Sequence, residues 1–281
     1  MRVSGAARLA GVMGWPIAHS RSPHIHGYWL EAYAIDGAYV PLAIRPEDLA
    51  EAFSVLPKIG FRGWNITLPH KEAALRLVRT LTPAAERIGA VNTVTVQPDG
   101  SLTGDNSDAF GFIAHLDRSA PGWANDRAAL VLGAGGAARA VCFALLEAGV
   151  PEIRLANRTL PRAQALAKAN GPAVRAIAWE EREHAMAGAG LVVNTTSLGM
   201  HGQPPLQVRL DALPGDAVVN DIVYVPLQTP LLADAAARGL RTVDGLGMLL
   251  HQARPGFERW FGHKPEVSQA LYATIVRDLL S

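Results

Sequence analysis

Residues 128–139 read Ala128-Ala129-Leu130-Val131-Leu132-Gly133-Ala134-Gly135-Gly136-Ala137-Ala138-Arg139, and the helix-forming run 140–148 follows. The order is strand, glycine turn, helix. Gly133, Gly135 and Ala138 fall on the G-x-G-x-x-G/A spacing. There the first glycine makes a tight turn, the second lets backbone approach a pyrophosphate, and the third position stays small for helix packing. The helix start adds free N–H groups and the positive end of a dipole, both suited to phosphate. On its own the same pattern also describes an ordinary tight turn in an Ala-rich chain.

A second short strand, 152–156, ends in Asn157-Arg158-Thr159, about 20 residues downstream, where a dinucleotide site meets the adenosine ribose. No acidic residue stands at that strand end to bind a free 2′-hydroxyl. Arg158 and the Thr159 hydroxyl suit a 2′-phosphate instead, which selects NADP over NAD. The plainer reading of Arg158 is a solvated arginine at a strand end.

The rest of the composition agrees with a globular two-domain protein. The chain has 281 residues, 49% of them hydrophobic, and a formal net charge of +1 without blocks of like charge. That balance argues for neither nucleic acid nor an anionic membrane surface as partner, and points to small molecules. The lone Cys142 permits no disulfide within the chain and fits a reducing compartment. The apolar run 9–13 is cut by Gly14, Trp15 and Pro16, too short for a signal sequence or a membrane span, so a cytoplasmic protein is expected.

From the N-terminus, a strand over 8–13 leads into the loop Gly14 to Pro23 and a helix over 24–33, with Ser22 placed to cap it and Pro23 at the first helical position. Ser20 and Ser22 stand at a strand's carboxyl end, where open α/β sheets bind ligands, and two hydroxyls there can hold a carboxylate. His19, His24 and His26 crowd this loop, but no acids or cysteines complete a metal shell, so they read as structural and no metal is expected. A strand over 38–44 precedes a helix opened by Pro46, with Leu49, Phe53 and Leu56 on one face.

Residues 63–71, Gly-Trp-Asn-Ile-Thr-Leu-Pro-His-Lys, read as a strand handing over to a helix at 72–78, which puts Lys71 at the junction. Lysine can exchange a proton where arginine cannot. By composition alone Lys71 is better read as a surface lysine. Residues 90–96 and 101–104 form a hairpin around Pro98-Asp99-Gly100, and Asp105 to Asp108 lead into a helix. Asp108 there is either a dipole-stabilised helix start or a partner for Lys71 across a cleft. Residues 119–127, including Asn125, read as a linker. The remaining strands, 128–132, 152–156, 174–177, 191–194, 217–221 and 241–243, alternate with helices as in a doubly wound sheet. Two last helices, 248–260 and 267–280, have no strand to pair with and are expected to return to the first domain.

Assembled in order, these motifs resemble the shikimate dehydrogenase family over nearly the whole chain. Gly14 to His26 is similar to G-x-P-x-x-H-S-x-S-P-x-x-H, Asn65 to Lys71 to N-x-T-x-P-x-K, Ala90 to Thr93 to A-V-N-T, and Gly104 to Gly111 to G-x-N-T-D-x-x-G. The glycine turn, Asn157-Arg158-Thr159, the Tyr224 to Pro226 and Thr229 to Leu232 segments, Gly245 to Gln252 and Phe257 to Gly262 continue the match. Gly27, Trp15, Ser107 and Thr195 depart from it, at positions where the family usually has Asn, a polar residue, Thr and Ala.

The resemblance implies an α/β substrate-binding and catalytic domain over 1–106, a Rossmann-like NADP-binding domain over 107–246, and C-terminal helices over 247–281. It implies Lys71 and Asp108 as the catalytic pair, with Ser20, Ser22, Thr67, Asn92, Tyr224 and Gln252 on the substrate. NADP contacts are implied for Gly133, Ala134, Gly135, Gly136, Ala137, Asn157, Arg158, Thr159 and Arg162, and for Thr195, Thr196, Ser197, Ile222, Gly245 and Met248. The implied reaction is reversible NADPH-dependent reduction of 3-dehydroshikimate to shikimate by a monomer or homodimer. Quinate/shikimate or aminoshikimate dehydrogenases share the pattern, and a non-catalytic dinucleotide- or shikimate-binding regulator is the alternative of a different class.

Overall fold

Apolar runs ending in glycine or proline become strands here, and Ala- and Leu-rich runs become the helices between them. A computed structural model describes residues 3–124 and 126–280. The linker residue Asn125 lies outside the described residues. The chain divides into two units, Met1–Ser107 with Leu250–Ser281, and Asp108–Leu249.

The first unit opens with β1 (Arg8–Gly14), α1 (Ser22–Ala32), β2 (Gly37–Ala43), α2 (Leu49–Val55) and β3 (Phe61–Ile66). It continues through β4 (Thr80–Leu81), α3 (Pro83–Ile88), β5 (Thr93–Val96) and β6 (Leu102–Asp105). The described strands form one sheet in the order β2-β1-β3-β5-β6-β4. β1 pairs in parallel with β2 and β3, whereas β5 runs antiparallel to both β3 and β6. The hairpin therefore brings the start of β5 and the end of β6 to the carboxyl edge of β1 and β3, with Asn65 opposite Thr93 and Thr93 opposite Asp105. One face is filled by Leu49, Phe53 and Leu56, the stripe expected from helical spacing, packed with Met13, Trp64 and Ile66.

The second unit begins with α4 (Asp108–Ser119) and alternates β7 (Ala129–Leu132), α5 (Gly136–Glu147), β8 (Ile153–Asn157), α6 (Leu160–Asn170) and β9 (Val174–Ala178). β10 (Leu191–Asn194), β11 (Val218–Asp221), α7 (Pro230–Ala237) and β12 (Arg241–Val243) follow. The sheet is parallel in the order β12-β11-β10-β7-β8-β9. The chain leaves β7 toward β8 and later starts again at β10 on the other side, so the strand order reverses between β7 and β10. At such a switch point an open sheet leaves a crevice at its carboxyl edge. β7, β10 and β11 are buried throughout, as strands covered on both faces must be.

The helix α8 (Leu246–Phe261) starts in the second unit and continues into the first, where α9 (Gln269–Leu280) ends the described chain. Within the first unit, Trp260 Nε1 of α8 donates to Val94 O at 3.0 Å, and Trp29 Nε1 of α1 donates to Glu266 O at 2.9 Å.

Three local expectations are corrected. Ser22 does not cap α1: Arg21 holds the cap position without a side-chain bond, Ser22 is the first helical residue and Pro23 the second. Residues 72–78 form no α-helix, only a short 3-10 turn at Ala73–Arg76, because the Lys71 carbonyl accepts from Val91 N at 2.9 Å. Residues 90–92 precede the strand, which begins at Thr93.

Candidate active site

In the first unit, the carboxyl ends of parallel β1 and β3 deliver two loops to one edge. Trp15 N donates to Leu68 O at 3.1 Å and Thr67 N to Met13 O at 2.9 Å, so the Ser20/Ser22 loop and the Thr67/Lys71 loop are joined by backbone bonds. Ser22 N also donates to Ser20 Oγ at 3.4 Å. Arg21 and His24 reach Asp278 of α9 at 2.8 and 2.9 Å, which holds the first of these loops from outside.

Asn92 arrives at the same edge by the hairpin. Its backbone N–H donates to Asp105 O at 3.0 Å and its carbonyl accepts from Ile66 N at 2.8 Å. Its side-chain Oδ1 accepts from Ser107 N at 2.8 Å, Thr93 Oγ1 at 2.9 Å and Ser107 Oγ at 3.2 Å. A carbonyl oxygen so used leaves the amide nitrogen as the donor side of Asn92. Asp105 is held by Thr82 Oγ1 at 2.5 Å and by Arg259 at 2.6 Å. The unit thus gathers Ser20, Ser22, Thr67, Lys71 and Asn92 at one sheet edge, with Gln252 on α8 in the same unit. Asp108 follows Ser107 directly and opens α4, in the second unit with Tyr224.

Two residues of this edge have no role that the sequence alone reveals. His70, buried beside Lys71, donates from Nε2 to Ile44 O at 2.8 Å and anchors the turn before the lysine. Asn65, also buried, links β3 to Asn92 and Thr93. Both lie inside the run 65–71, so their motif position is the only available signal.

In the second unit the edge is shaped by backbone. Gly133, at φ +107°, is a position where a Cβ would stand 2.7 Å from Thr195 Oγ1, so glycine is required there. Thr195 donates to Leu132 O from both N and Oγ1, at 2.8 and 2.7 Å. Gly135 caps α5 without a side-chain bond, leaving the first N–H groups of a 12-residue helix to an external acceptor. Nothing lies within 4 Å of where a Cβ would be at Gly135 or Gly136, so the space above these amides is open. At Gly245 a Cβ would fall 2.2 Å from Ile222 O, which brings these two loop residues into close approach.

The end of β8 presents Arg158, Thr159 and, one helical turn on, Arg162, all exposed. Arg158 and Arg162 make no ion pair with any described residue, while Asn157 Nδ2 donates to Thr159 O at 2.9 Å and shapes the turn. An uncapped helix start, open space above the glycines, and two unpaired guanidiniums with no acid beside them fit a phosphorylated dinucleotide.

Beneath this edge lies a buried polar cluster. Asp221 Oδ1 accepts from Asn194 Nδ2 at 2.9 Å and Val223 N at 3.0 Å, and Oδ2 accepts from Thr229 Oγ1 at 2.7 Å. Asn194 Oδ1 in turn accepts from Thr196 N and Oγ1, at 3.0 and 2.7 Å. This network ties the Thr195 to Ser197 loop to the Ile222 turn. Burial outweighs the hydrogen bonds and pushes the Asp221 carboxyl up to about 6.

Cys142 is buried inside α5, its thiol pushed up to about 12 by desolvation, and reads as core packing. His26 is buried among Trp29, Tyr39, Phe257 and Trp260, and the loss of hydration pushes it down to about 3, so it is a neutral core residue. Among the described residues no group of His, Cys, Asp and Glu side chains is placed to hold a metal ion, and no helix is long and apolar enough to cross a membrane.

Comparison with known proteins agrees with this layout. Residues 12–94 match the family described as shikimate dehydrogenase substrate binding domain, residues 116–200 match shikimate / quinate 5-dehydrogenase, and residues 245–271 match shikimate 5′-dehydrogenase C-terminal domain. A protein of Paramagnetospirillum magneticum named shikimate dehydrogenase (NADP(+)) is 58% identical, over 98% of this chain and 100% of its own length. A shikimate 5-dehydrogenase of Thermus thermophilus, solved with NADP(H) and shikimate, is 39% identical with a TM-score of 0.85, over 97% of this chain and 99% of that one. A quinate dehydrogenase of Corynebacterium glutamicum, solved with NAD, is 33% identical with a TM-score of 0.90, over 96% of this chain and 99% of that one. By its motifs, its two units and these full-length relatives, the chain belongs to the shikimate dehydrogenase family.

Proposed function

We propose that this chain is an NADP-dependent oxidoreductase that interconverts 3-dehydroshikimate and shikimate, in the cytoplasm, on the route to aromatic amino acids. Bound NADPH supplies the hydride. Lys71 gives its proton to the ketone oxygen as the alcohol forms and takes it back in the reverse direction, a general acid–base role worth about 10²- to 10⁴-fold in rate. Asp108 accepts a hydrogen bond from the Lys71 ammonium and orients it.

Ser20 and Ser22 donate to the substrate carboxylate, and Thr67, Asn92, Tyr224 and Gln252 bind its hydroxyls. The backbone N–H groups of Gly133 to Ala137 receive the pyrophosphate, and Asn157, Arg158, Thr159 and Arg162 the 2′-phosphate. Thr195, Thr196, Ser197, Ile222, Gly245 and Met248 line the rest of the cofactor.

The observation that carries this reading is the convergence, on one edge of the first sheet, of two serine hydroxyls, Thr67, the Lys71 loop and an Asn92 amide whose oxygen is already taken by Ser107 and Thr93. A ligand with one carboxylate and several hydroxyls needs such a set. Arg158, with no acidic neighbour at its strand end, supports NADP over the NAD bound by the quinate dehydrogenase relative.

The test is NADPH formation followed spectrophotometrically with shikimate and with quinate. Turnover is expected with shikimate and NADP⁺, and Lys71→Ala should lower kcat at least about 10²-fold while the KM for NADP⁺ stays nearly unchanged. Absence of turnover with shikimate, or full activity in Lys71→Ala, overturns the reading.

A further inference from the structure

One buried histidine of the second unit has so far been given no task. His115 lies on α4, seven residues after Asp108. Seven residues are two helical turns, so the two stand on one side of α4, about 10 Å apart along its axis. Phe112 and Leu116 are buried on the same stripe. His26 is buried with no hydrogen-bond partner on either nitrogen among the described residues, as an imidazole used only for packing would be. His115 differs, because both of its nitrogens are bonded.

Its Nε2 stands 3.0 Å from Asp244 O, and since a backbone carbonyl can only accept, Nε2 carries the proton and donates. Nδ1 is then the accepting nitrogen, and the Ser119 hydroxyl donates to it at 3.1 Å. Both bonds belong to the neutral ring. Burial lowers the pKa of His115 and outweighs the Asp244 carboxylate, whose Oδ1 is 3.9 Å from Nε2.

Asp244 carries the link onward. It follows β12, and its Oδ1 accepts from Leu246 N at 2.8 Å and from Gly247 N at 3.3 Å, so the residue bonded to His115 also fixes the first turn of α8. At Gly247 a Cβ would fall 1.9 Å from His115 Nδ1, so glycine is required there while the ring keeps its place. The imidazole is seated directly against the turn 244–248. That turn holds Gly245 close to Ile222 and leads into Met248.

In the functional reading above, the 2′-phosphate goes to the end of β8 and the pyrophosphate to Gly133 to Ala137. The turn with Gly245 and Met248 is left for the nicotinamide end. One side chain therefore joins the helix that opens with Asp108 to the turn that lines the reacting ring, all within the second unit. We infer that His115 is a positioning residue for hydride transfer, fixing α4, and with it Asp108, against the turn 244–248 through its bond to Asp244 O and the seat that Gly247 leaves. The inference rests on the shikimate reading and extends it to a residue two turns behind the proposed carboxylate.

Two substitutions test it. His115→Leu removes both bonds at similar volume, and His115→Gln keeps a donor with the reach of Nε2. In shikimate oxidation with NADP⁺, His115→Leu should lower kcat about tenfold with both KM values within twofold, because a small displacement of reacting groups costs rate rather than binding. The deuterium isotope effect on kcat, read with shikimate labelled at the oxidised carbon, should rise in the same variant as hydride transfer becomes the slower step. His115→Gln should recover most of the rate. Gly247→Ala drives a Cβ into the ring and should reproduce the lower kcat, which gives a second reading if His115→Leu folds poorly. A merely structural role would lower the melting temperature of these variants while leaving kcat within twofold of wild type and the isotope effect unchanged, and that result overturns the inference. A Gln variant as slow as the Leu variant overturns it too. Wild-type protein that fails to oxidise shikimate at all overturns the functional reading first, and this inference with it.

Discussion

The carboxyl edges of the two sheets are built by opposite means. In the first unit the edge is a set of side chains, Tyr39, Asn65, Asn92, Thr93 and Ser107, each paired with another. In the second the main chain does the shaping. Gly133 N donates to Ala156 O at 2.8 Å, Thr195 N to Leu132 O at 2.8 Å and Ile222 N to Asn194 O at 3.1 Å, extending the parallel ladder past the strand ends. The difference matches what each proposed ligand asks for. A small polyhydroxy acid must be met by individual donors at individual places. A pyrophosphate needs only several N–H groups and an absence of side chains, which a helix start beside glycines supplies.

The contrast extends to the buried titratable groups, and the largest expected effect lies there. His26 falls from 6.5 to about 3 on folding. A base whose folded pKa is lowered binds fewer protons when folded, so its contribution is present above pH 6.5 and is lost as the pH drops toward 3, about 5 kcal/mol over the whole window. Between about pH 7 and 4, urea unfolding should show the wild type losing about 3 kcal/mol more than His26→Leu. Parallel pH profiles for the two proteins would mean that His26 is not a buried neutral residue.

Asp221 has the reverse sign in the second unit. Its carboxyl rises from 3.8 to about 6, so the folded state holds the extra proton, and stability falls as the pH climbs through that window by about 3 kcal/mol. Asp221→Asn should abolish this decline. Because the two groups titrate oppositely over nearly the same range, each substitution should unmask the other's slope. An Asp221→Asn protein with the wild-type profile breaks this side of the comparison.

The backbone character of the second edge is probed by its glycines. Gly133→Ala places a Cβ against Thr195 at a positive φ and should destabilise the protein by about 1–3 kcal/mol. Gly135→Val sets its Cβ where no protein atom lies within 4 Å, so the melting temperature should hold while the KM for NADP⁺ rises at least about tenfold, as the new side chain stands where phosphate approaches. Equal loss of stability in both variants would show that the space over Gly135 is not kept for a ligand. The smallest effect is expected for Arg158→Ala, about tenfold weaker NADP⁺ binding with NAD⁺ nearly unchanged, measured by titration with each dinucleotide. Parallel weakening of both would remove Arg158 from 2′-phosphate recognition.

Some of this is legible residue by residue. The 128–139 stretch reads as strand, turn and helix because an apolar run, a glycine spacing and an Ala-rich run are local signals, and β7, the Gly133 turn and α5 follow them. Leu49, Phe53 and Leu56 show their buried face by spacing alone. The misreadings are of local signals. Ser22 has the local signature of a helix cap, but Arg21 takes the cap position and Ser22 becomes the first helical residue, its N–H donating to Ser20 Oγ. Residues 72–78 have a helical composition, but Val91 takes the Lys71 carbonyl that the first helical turn would use. A distant partner overrides the local preference at 72–78.

By itself, then, the chain of residues determined its alternation of strands and helices, the glycine turn with its arginine strand end, and the loops that carry Ser20, Lys71 and Asn92, since each is encoded within about ten neighbouring residues. Only the tertiary structure decided that this hairpin docks with β5 antiparallel to β3, and so returns Asn92 and Ser107 to the edge where β1 and β3 end. It alone joined Tyr39 to Asn65, neutralised His26 and raised Asp221. Strand direction and burial are set by contacts between segments far apart in sequence, and a local pattern carries no record of which distant surface will exclude the water.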